Sequence, residues 1–354
     1  MTDTTTPSRA PRLLLGPDDI RWPFTTGFSP LAEEVAAHGT RWVERFGLAA
    51  SPAAQNRFRQ ARTGWLTAAT YPEAGQTLLC CAHDWMVWLI AFDDEFDESG
   101  VGRDADRGRA VTDRMHGVLA GTAVPDGSPA AVALRDLSGR LRDVGGPRWT
   151  ARFLRHVDEY FRSYDWEARN RAAGTVPTEE EYLEQRLHTG AVQTCFDLVQ
   201  PALGLDTELD LWDTAALRGM EVSASQVISL TNDLVSYPKE RARGDFHNLV
   251  AIHRERGSLD VPDAVALVLD RIHGFLASFE SAAAALRTTG TAVDRAGAAR
   301  YADGLRAWMR GNHDWSLRSA RFTDVDSSPA GLAPAHLGDI LDHRAGPAAG
   351  RHHA

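Results

Sequence analysis

The chain is short of cysteine, of lysine and of long apolar runs, and each shortage removes a class of protein. Its three cysteines, Cys80, Cys81 and Cys195, cannot all pair and have no metal-ligand spacing. They fit small core residues in a reducing cytoplasm, not a disulfide scaffold or a zinc site. The longest apolar run is the eight residues 85–92 (Trp-Met-Val-Trp-Leu-Ile-Ala-Phe), too short to span a bilayer. The N-terminus lacks the apolar stretch with flanking basic residues that marks a secretory signal. No segment sustains the period-two alternation of a half-buried strand. Positive charge is also in deficit: a net charge of −10 argues against nucleic acid or an anionic membrane surface as a partner. It is a weaker objection to an anionic small molecule, because bound metal ions invert the local field.

What remains is helix. A chain of 354 residues with 43% hydrophobic content can bury a sizeable core, and nothing in it marks a second domain. Helical periodicity covers 30–46, 53–70, 73–92, 104–119, 129–144, 149–171 and 179–188, followed by four more long stretches to about residue 318. Thr178 and Glu181 have capping-box spacing and open the helix that follows. The expectation is an all-α, single-domain fold over 26–325. A partly disordered tail is expected over 1–25, and a Pro-, Gly-, Ala- and His-rich tail, flexible or forming a lid, over 326–354.

Two clusters carry chemistry. Asn232, Ser236 and Glu240 stand four residues apart, so on a helix their oxygen-bearing side chains fall within an arc of roughly 80°. An amide oxygen, a hydroxyl and a carboxylate, with no Cys or His, suit a hard cation such as Mg²⁺ and not zinc. The second cluster, Asp93-Asp94-Glu95-Phe96-Asp97-Glu98, directly follows the most apolar run of the chain. Carboxylates near a helix C-terminus oppose the macrodipole unless a cation offsets them. An EF-hand fails on spacing: with Asp93 as first ligand, Glu98 stands where the loop needs glycine and Asp104 where it needs a bidentate Glu.

Together the clusters resemble the paired metal motifs of bacterial class I terpene synthases, the aspartate-rich motif (Asp93, Asp94, Asp97) and the Asn-Ser-Glu triad (Asn232, Ser236, Glu240). Arg186, which lies 46 positions before Asn232, matches that family's diphosphate-sensor arginine, with Thr189 and Gly190 at its linker and effector positions. Asn312-His-Asp-Trp315 followed by Arg321-Phe322 is similar to the family's tryptophan and Arg-Tyr pair, with Phe322 in place of the tyrosine and its hydroxyl absent. The resemblance implies three Mg²⁺ ions, two held by Asp93 with help from Asp97 and one by the triad. It further implies an isoprenyl diphosphate bound by Arg186, Lys239 and Arg321, and a Gly190 carbonyl that swings toward the cation when Arg186 senses diphosphate.

Lys239 is the chain's one lysine among 38 basic residues. The arginine dominance reads as codon bias, but the exception sits beside Glu240, where a compact point charge suits a phosphate oxygen better than a planar guanidinium. Pro238 removes a helix hydrogen bond, so the helix is expected to kink or end there. His188 and His247 flank the motifs and read as capped or solvent-facing residues more readily than as bases.

Stepping back along the helices from Asp93 gives Ile90, Leu89, Met86 and Trp85, and from Asn232 gives Ile228 and Ala224, as the walls of an apolar cavity. Ring faces at Trp85 and Trp315 could stabilise a carbocation by roughly 0.5–2 kcal/mol each. Three functions compete: a terpene cyclase, an isoprenyl chain-elongating transferase and a noncatalytic helical metal-binding protein. The transferase would carry a second aspartate-rich motif in place of the triad, and the binding protein leaves Arg186, Lys239 and Arg321 unexplained. Small residues at Gly190, Ala191 and Ala224, with aliphatic Leu89 and Ile90, suggest a roomy cavity. The reading therefore leans to geranylgeranyl diphosphate (C20), in general resemblance to bacterial diterpene cyclases of the spiroviolene and cattleyene kind, with farnesyl diphosphate (C15) as the alternative. A homodimer is compatible with all of this.

Overall fold

A computed structural model describes residues 14–98, 100–288, 290–322 and 340–341, the side chains of Asp97, Glu98 and Arg103 excepted. Among these residues every regular element is helical. In chain order the helices are α1 (Ala32–Phe46), α2 (Pro52–Ala61), α3 (Thr63–Thr70), α4 (Gln76–Glu98) and α5 (Ala105–Ala120). Next come α6 (Pro129–Arg142), α7 (Pro147–Ala173), α8 (Glu179–Thr189), α9 (Val192–Asp197) and α10 (Val199–Ala202). The last four are α11 (Ala215–Arg243), α12 (Leu249–Gly257), α13 (Val261–Leu286) and α14 (Ala292–Ser316).

The ends are set by local chemistry. Ser51, Asp104, Thr214 and Asp260 each accept a hydrogen bond from the backbone of the first helical turn, and proline occupies the first turn of α2, α6, α7 and α13, where no N–H is needed. The Thr178–Glu181 capping box forms as expected: Thr178 Oγ1 accepts from the Glu181 N–H at 3.2 Å, and Glu181 accepts from the Thr178 N–H at 2.8 Å. Gly244, at φ 74°, closes α11 in the left-handed region just after Glu240.

Two expectations are corrected and one is narrowed. The helix read over 53–70 is two helices, because Arg62 adopts a left-handed backbone (φ 53°) that ends α2. Of the two alternatives at Pro238, a kink or an end, the end is excluded: α11 runs on to Arg243. The tail expected to residue 25 is packed from Leu14 onward, with Leu15 and Ile20 in the core. The expected C-terminal tail lies outside the described residues except at 340–341. There the Ile340 carbonyl accepts from the Ala130 N–H at 2.9 Å, and both side chains are buried.

A row of aromatic rings fixes α4 against α7 and so aims the acidic cluster. Trp149 stacks on Phe153 (5.1 Å between centroids), Phe153 meets Trp85 (5.0 Å), Trp85 stacks on Trp88 (5.6 Å) and Trp88 on Phe92 (4.9 Å). Phe96, the next ring, lies 4.0 Å from Tyr164. Such pairs each add about 0.5–1.5 kcal/mol beyond area burial. On the other side of α4, Gly39 of α1 approaches so closely that a Cβ there would stand 2.0 Å from the His83 ring, so only glycine fits. The adjoining buried Asp84 accepts from His38 (2.8 Å) and is paired with Arg140 (2.8 Å), tying α1, α4 and α6 together.

Candidate active site

The C-terminal end of α4, the break between α8 and α9, the second half of α11 and the end of α14 enclose a cavity of about 630 Å³. Its walls carry apolar side chains, Leu66, Met86, Leu89, Val192, Ile228 and Trp308 among them, interspersed with Ser, Thr, Tyr and Asn side chains. Charge gathers at the mouth.

Asp93 and Asp94 are adjacent but differ. Asp94 is buried and accepts from Arg321 at 2.5 Å, with Arg57 at 3.4 Å. Burial alone would raise its carboxyl, but Arg321, Lys239 and Arg57 outweigh that and hold it at about 2. Asp93 faces the cavity, with 39% of its side chain open, and accepts from the Tyr164 hydroxyl at 3.1 Å. Desolvation raises it to about 6, Arg321 opposing and Asp94 and Glu167 adding to the rise. The side chain of Asp97 lies outside the described residues.

Across the mouth, Asn232, Ser236 and Glu240 share the cavity face of α11. Asn232 Oδ1 accepts from Arg186 at 2.9 Å. Glu240 accepts from the Asn248 amide at 2.8 Å, and burial, with Asp233 adding, pushes its carboxyl up to about 7. Ser236 Oγ is buried with no hydrogen-bond partner among the described residues. Two carboxylates whose pKa burial raises and this hydroxyl, all hard oxygen donors, fit a divalent hard cation. Among the described residues no three His, Cys, Asp or Glu side chains cluster as a metal site, so such donors would come from the two sides of the mouth.

Arg186 is held from several directions. Its Nε and Nη2 donate to Asp233 Oδ1 at 3.1 and 2.9 Å, and its Nη1 donates to Thr189 Oγ1 at 3.1 Å. Asp233 also accepts from the Tyr182 hydroxyl (2.8 Å) and the Leu249 N–H (2.9 Å) on its other oxygen. Lys239 and Arg321 line the same cavity. Burial lowers the Lys239 amine, partly offset by Asp94. Gly190 takes an ordinary backbone (φ −86°), and the left-handed residue at the α8/α9 break is Ala191 (φ 53°), so the backbone freedom assigned to the glycine is needed one residue later.

Of the expected wall residues, Leu89, Ile90 and Trp315 line the cavity, as does Phe322, set edge-on to Trp315 at 5.5 Å. Trp85 and Ala224 do not: both are fully buried in the core, and Trp85 Nε1 donates to Thr194 Oγ1 at 3.0 Å. Each stands eight residues before its reference, a drift of about 80° that carries it past Leu89 and Ile228, the lining residues on that side, whereas Glu240, eight residues after Asn232, drifts the opposite way and stays on the cavity face. Met86, seven residues before Asp93, drifts only about 20° and stays on it. With Ala224 outside the cavity, the main structural reason for a C20 chain is gone.

Sequence reading missed Asp233 and Asn248. Asp233 sits inside the triad motif and reads as a filler. Asn248 caps α12 through Oδ1 and reaches Glu240 through Nδ2; no spacing marks it, because α11 ends at Arg243 between the two. His247, 9% exposed, is bound to Asp245 by its N–H and Nδ1 at 2.9 and 3.0 Å. His188 Nδ1 lies 3.7 Å from Glu159.

Residues 84–277 match the family described as terpene synthase family 2, C-terminal metal binding. A (+)-T-muurolol synthase, (2E,6E)-farnesyl diphosphate cyclizing, from Roseiflexus castenholzii is 34% identical over 87% of this chain and 94% of its own. Pristinol synthase from Streptomyces pristinaespiralis is 32% identical over 99% of this chain and 96% of its own. The solved linalool/nerolidol synthase from Streptomyces clavuligerus, in complex with 2-fluorogeranyl diphosphate, superposes with a TM-score of 0.75 at 30% identity, covering 82% of this chain and 99% of that one. The chain belongs to the bacterial class I terpene synthase family. It is accordingly a carbon–oxygen lyase acting on an isoprenyl diphosphate with a divalent metal cofactor. No helix among the described residues is long and apolar enough to cross a membrane.

Proposed function

We propose that the protein ionises farnesyl diphosphate in the presence of Mg²⁺ and cyclises the resulting carbocation, with release of diphosphate. The observation that carries this is the pairing, across one cavity mouth, of Asp93 with the Asn232–Ser236–Glu240 face, where Ser236 Oγ lacks a partner among the described residues. Support for the C15 chain comes from the relative named as a farnesyl diphosphate cyclizing synthase, and the C20 reading loses its basis with Ala224 in the core. Bound Mg²⁺ supplies the positive charge that stabilises the departing diphosphate. Asp93 and the triad would hold the ions, three in number by the family resemblance.

The protein's own groups do the rest. Arg186, Lys239 and Arg321 bind phosphate oxygens; at an effective dielectric near 20, each pair of unit charges at about 4 Å is worth about 4 kcal/mol. Arg186 and Arg321 keep a carboxylate partner while other N–H donors of the guanidinium turn to phosphate. Thr189 connects Arg186 to the Gly190 segment, and the strained Ala191 gives that segment a hinge. Leu89, Ile90, Met86 and Ile228 fold the chain, and the Trp315 face stabilises cationic carbon. The test is diphosphate release and product analysis with geranyl, farnesyl and geranylgeranyl diphosphates, with and without Mg²⁺. The expected result is Mg²⁺-dependent release with the highest kcat/KM on farnesyl diphosphate and cyclic C15 products. Higher kcat/KM on the C20 chain would overturn the chain-length assignment, and no release from any of them would overturn the function.

A further inference from the structure

Among the described residues, four buried polar atoms on the cavity lining make no hydrogen bond of good geometry within 3.5 Å: Ser229 Oγ, Ser236 Oγ, Trp308 Nε1 and Asn312 Oδ1. Ser236 belongs to the metal triad. The Trp308 ring meets Tyr71 edge-on at 5.4 Å, with the Tyr71 hydroxyl within reach of its N–H. Ser229 and Asn312 are left. Both are at least nine-tenths buried, Ser229 at 2% and Asn312 at 9% exposure.

The other polar groups of that wall are satisfied. Thr189 accepts from Arg186 (3.1 Å), Ser163 donates to the Tyr160 carbonyl (2.6 Å), and the Tyr160 and Tyr164 hydroxyls bond each other. Ser229 stands three residues before Asn232, one turn further from Glu240, with its hydroxyl 3.3 Å from where a Cβ on Gly190 would be. Its carbonyl accepts from Arg186 at 3.4 Å. Asn312 occupies the cavity face of α14 between Trp308 and Trp315.

A hydroxyl and an amide buried without partners are costly, and a polar recess of this kind is satisfied by water. Either orientation of the Asn312 amide offers water a partner. We propose that Ser229 and Asn312 hold water inside the cavity and that this water ends the reaction, so that the product is a terpene alcohol. This rests on the cyclase reading above and names its product class. Each group can accept an O–H bond of such a water, Ser229 through Oγ and Asn312 through Oδ1, and the water oxygen then keeps a lone pair for the cationic carbon. The C–O bond forms from that lone pair. The resulting oxonium then loses one proton to an oxygen of the diphosphate released at ionisation, giving alcohol and hydrogen diphosphate with no change of oxidation state. Loss of a proton from carbon, giving a hydrocarbon, is the competing outcome.

The experiment is turnover of farnesyl diphosphate by the Mg²⁺-loaded enzyme in ¹⁸O-water, with products analysed by gas chromatography–mass spectrometry and normalised to diphosphate released. The expected result is a major C15 alcohol carrying ¹⁸O, and an alcohol-to-hydrocarbon ratio at least tenfold lower in Ser229→Ala and in Asn312→Leu. Ser229→Ala removes one atom and serves if Asn312→Leu melts early. Hydrocarbon as the main wild-type product, alcohol without label, or an unchanged ratio in Ser229→Ala overturns the proposal while leaving the cyclase reading intact. A wild-type protein that releases no diphosphate overturns both.

Discussion

Asp233→Asn is the change that most sharply probes how Arg186 is held. The wild-type carboxylate receives four hydrogen bonds: Arg186 Nε at 3.1 Å and Nη2 at 2.9 Å on one oxygen, Tyr182 hydroxyl at 2.8 Å and Leu249 N–H at 2.9 Å on the other. All four partners donate. An asparagine of the same shape replaces one accepting oxygen by an NH₂ group, which must face either the guanidinium or the Tyr182–Leu249 pair, donor against donor. It also removes the charge opposite Arg186. Asp233 is 1% and Arg186 13% exposed at the side chain, so solvent cannot take over, and breaking a buried pair of this kind costs about 3–5 kcal/mol. Urea unfolding of the metal-free protein, followed by far-UV circular dichroism, should show that loss as a lower midpoint at similar slope. Diphosphate release should fall in parallel, because Arg186 is no longer aimed at the mouth. A stability loss below about 1 kcal/mol would refute the assignment of Asp233 as the anchor of Arg186.

Other consequences follow from the same packing. Ala224→Phe inserts a ring into close-packed core, so urea stability should drop by about 1–3 kcal/mol and turnover should fall alike on all chain lengths; selective loss of the C20 substrate would return Ala224 to the cavity. Ala191→Gly relieves a left-handed alanine at φ 53° and should raise urea stability by about 0.5–1 kcal/mol, whereas a comparable loss would contradict the strain. His156 Nδ1 lies 2.7 Å from Asp197, and although burial opposes it, Asp197 raises the His156 pKa above 6.5. The ion pair therefore stabilises fully below that value and fades as pH rises through the raised one, so the stability gap between wild type and His156→Gln should shrink as pH rises above about 6.5. A gap that widens with pH would reverse the sign.

What could be read from the sequence was local. The Thr178–Glu181 capping box and the Asn232–Ser236–Glu240 face each depend on spacing within one helix, and both appear where the spacing puts them. What could not be read depends on distant parts of the chain or on a backbone angle. Asp233 acquires its place from Tyr182 on α8 and the Leu249 N–H at the start of α12. Trp85 and Ala224 were assigned to the wall because counting in fours ignores the drift of a 3.6-residue helix, which eight residues back from Asp93 or Asn232 turns a side chain into the core. The breaks at Arg62 and Ala191 fall on residues that carry no mark of a left-handed backbone. Arg57, which joins Arg321 and Lys239 in lowering the Asp94 pKa, comes from α2 and belongs to no motif.

The central claim is that the α11 face and Asp93 hold the metal ions that release diphosphate, and Glu240 is its most exposed point. Diphosphate release from farnesyl diphosphate should be measured against Mg²⁺ concentration for wild type and Glu240→Gln, with thermal melting of both in metal-free buffer. The expected result is a saturable Mg²⁺ requirement in wild type, no release in chelator, and a loss of at least about 100-fold in the variant, of the order of 3 kcal/mol in barrier height, with its helical fold retained. A Glu240→Gln protein that turns over near the wild-type rate, or wild-type release that persists in chelator, would contradict it.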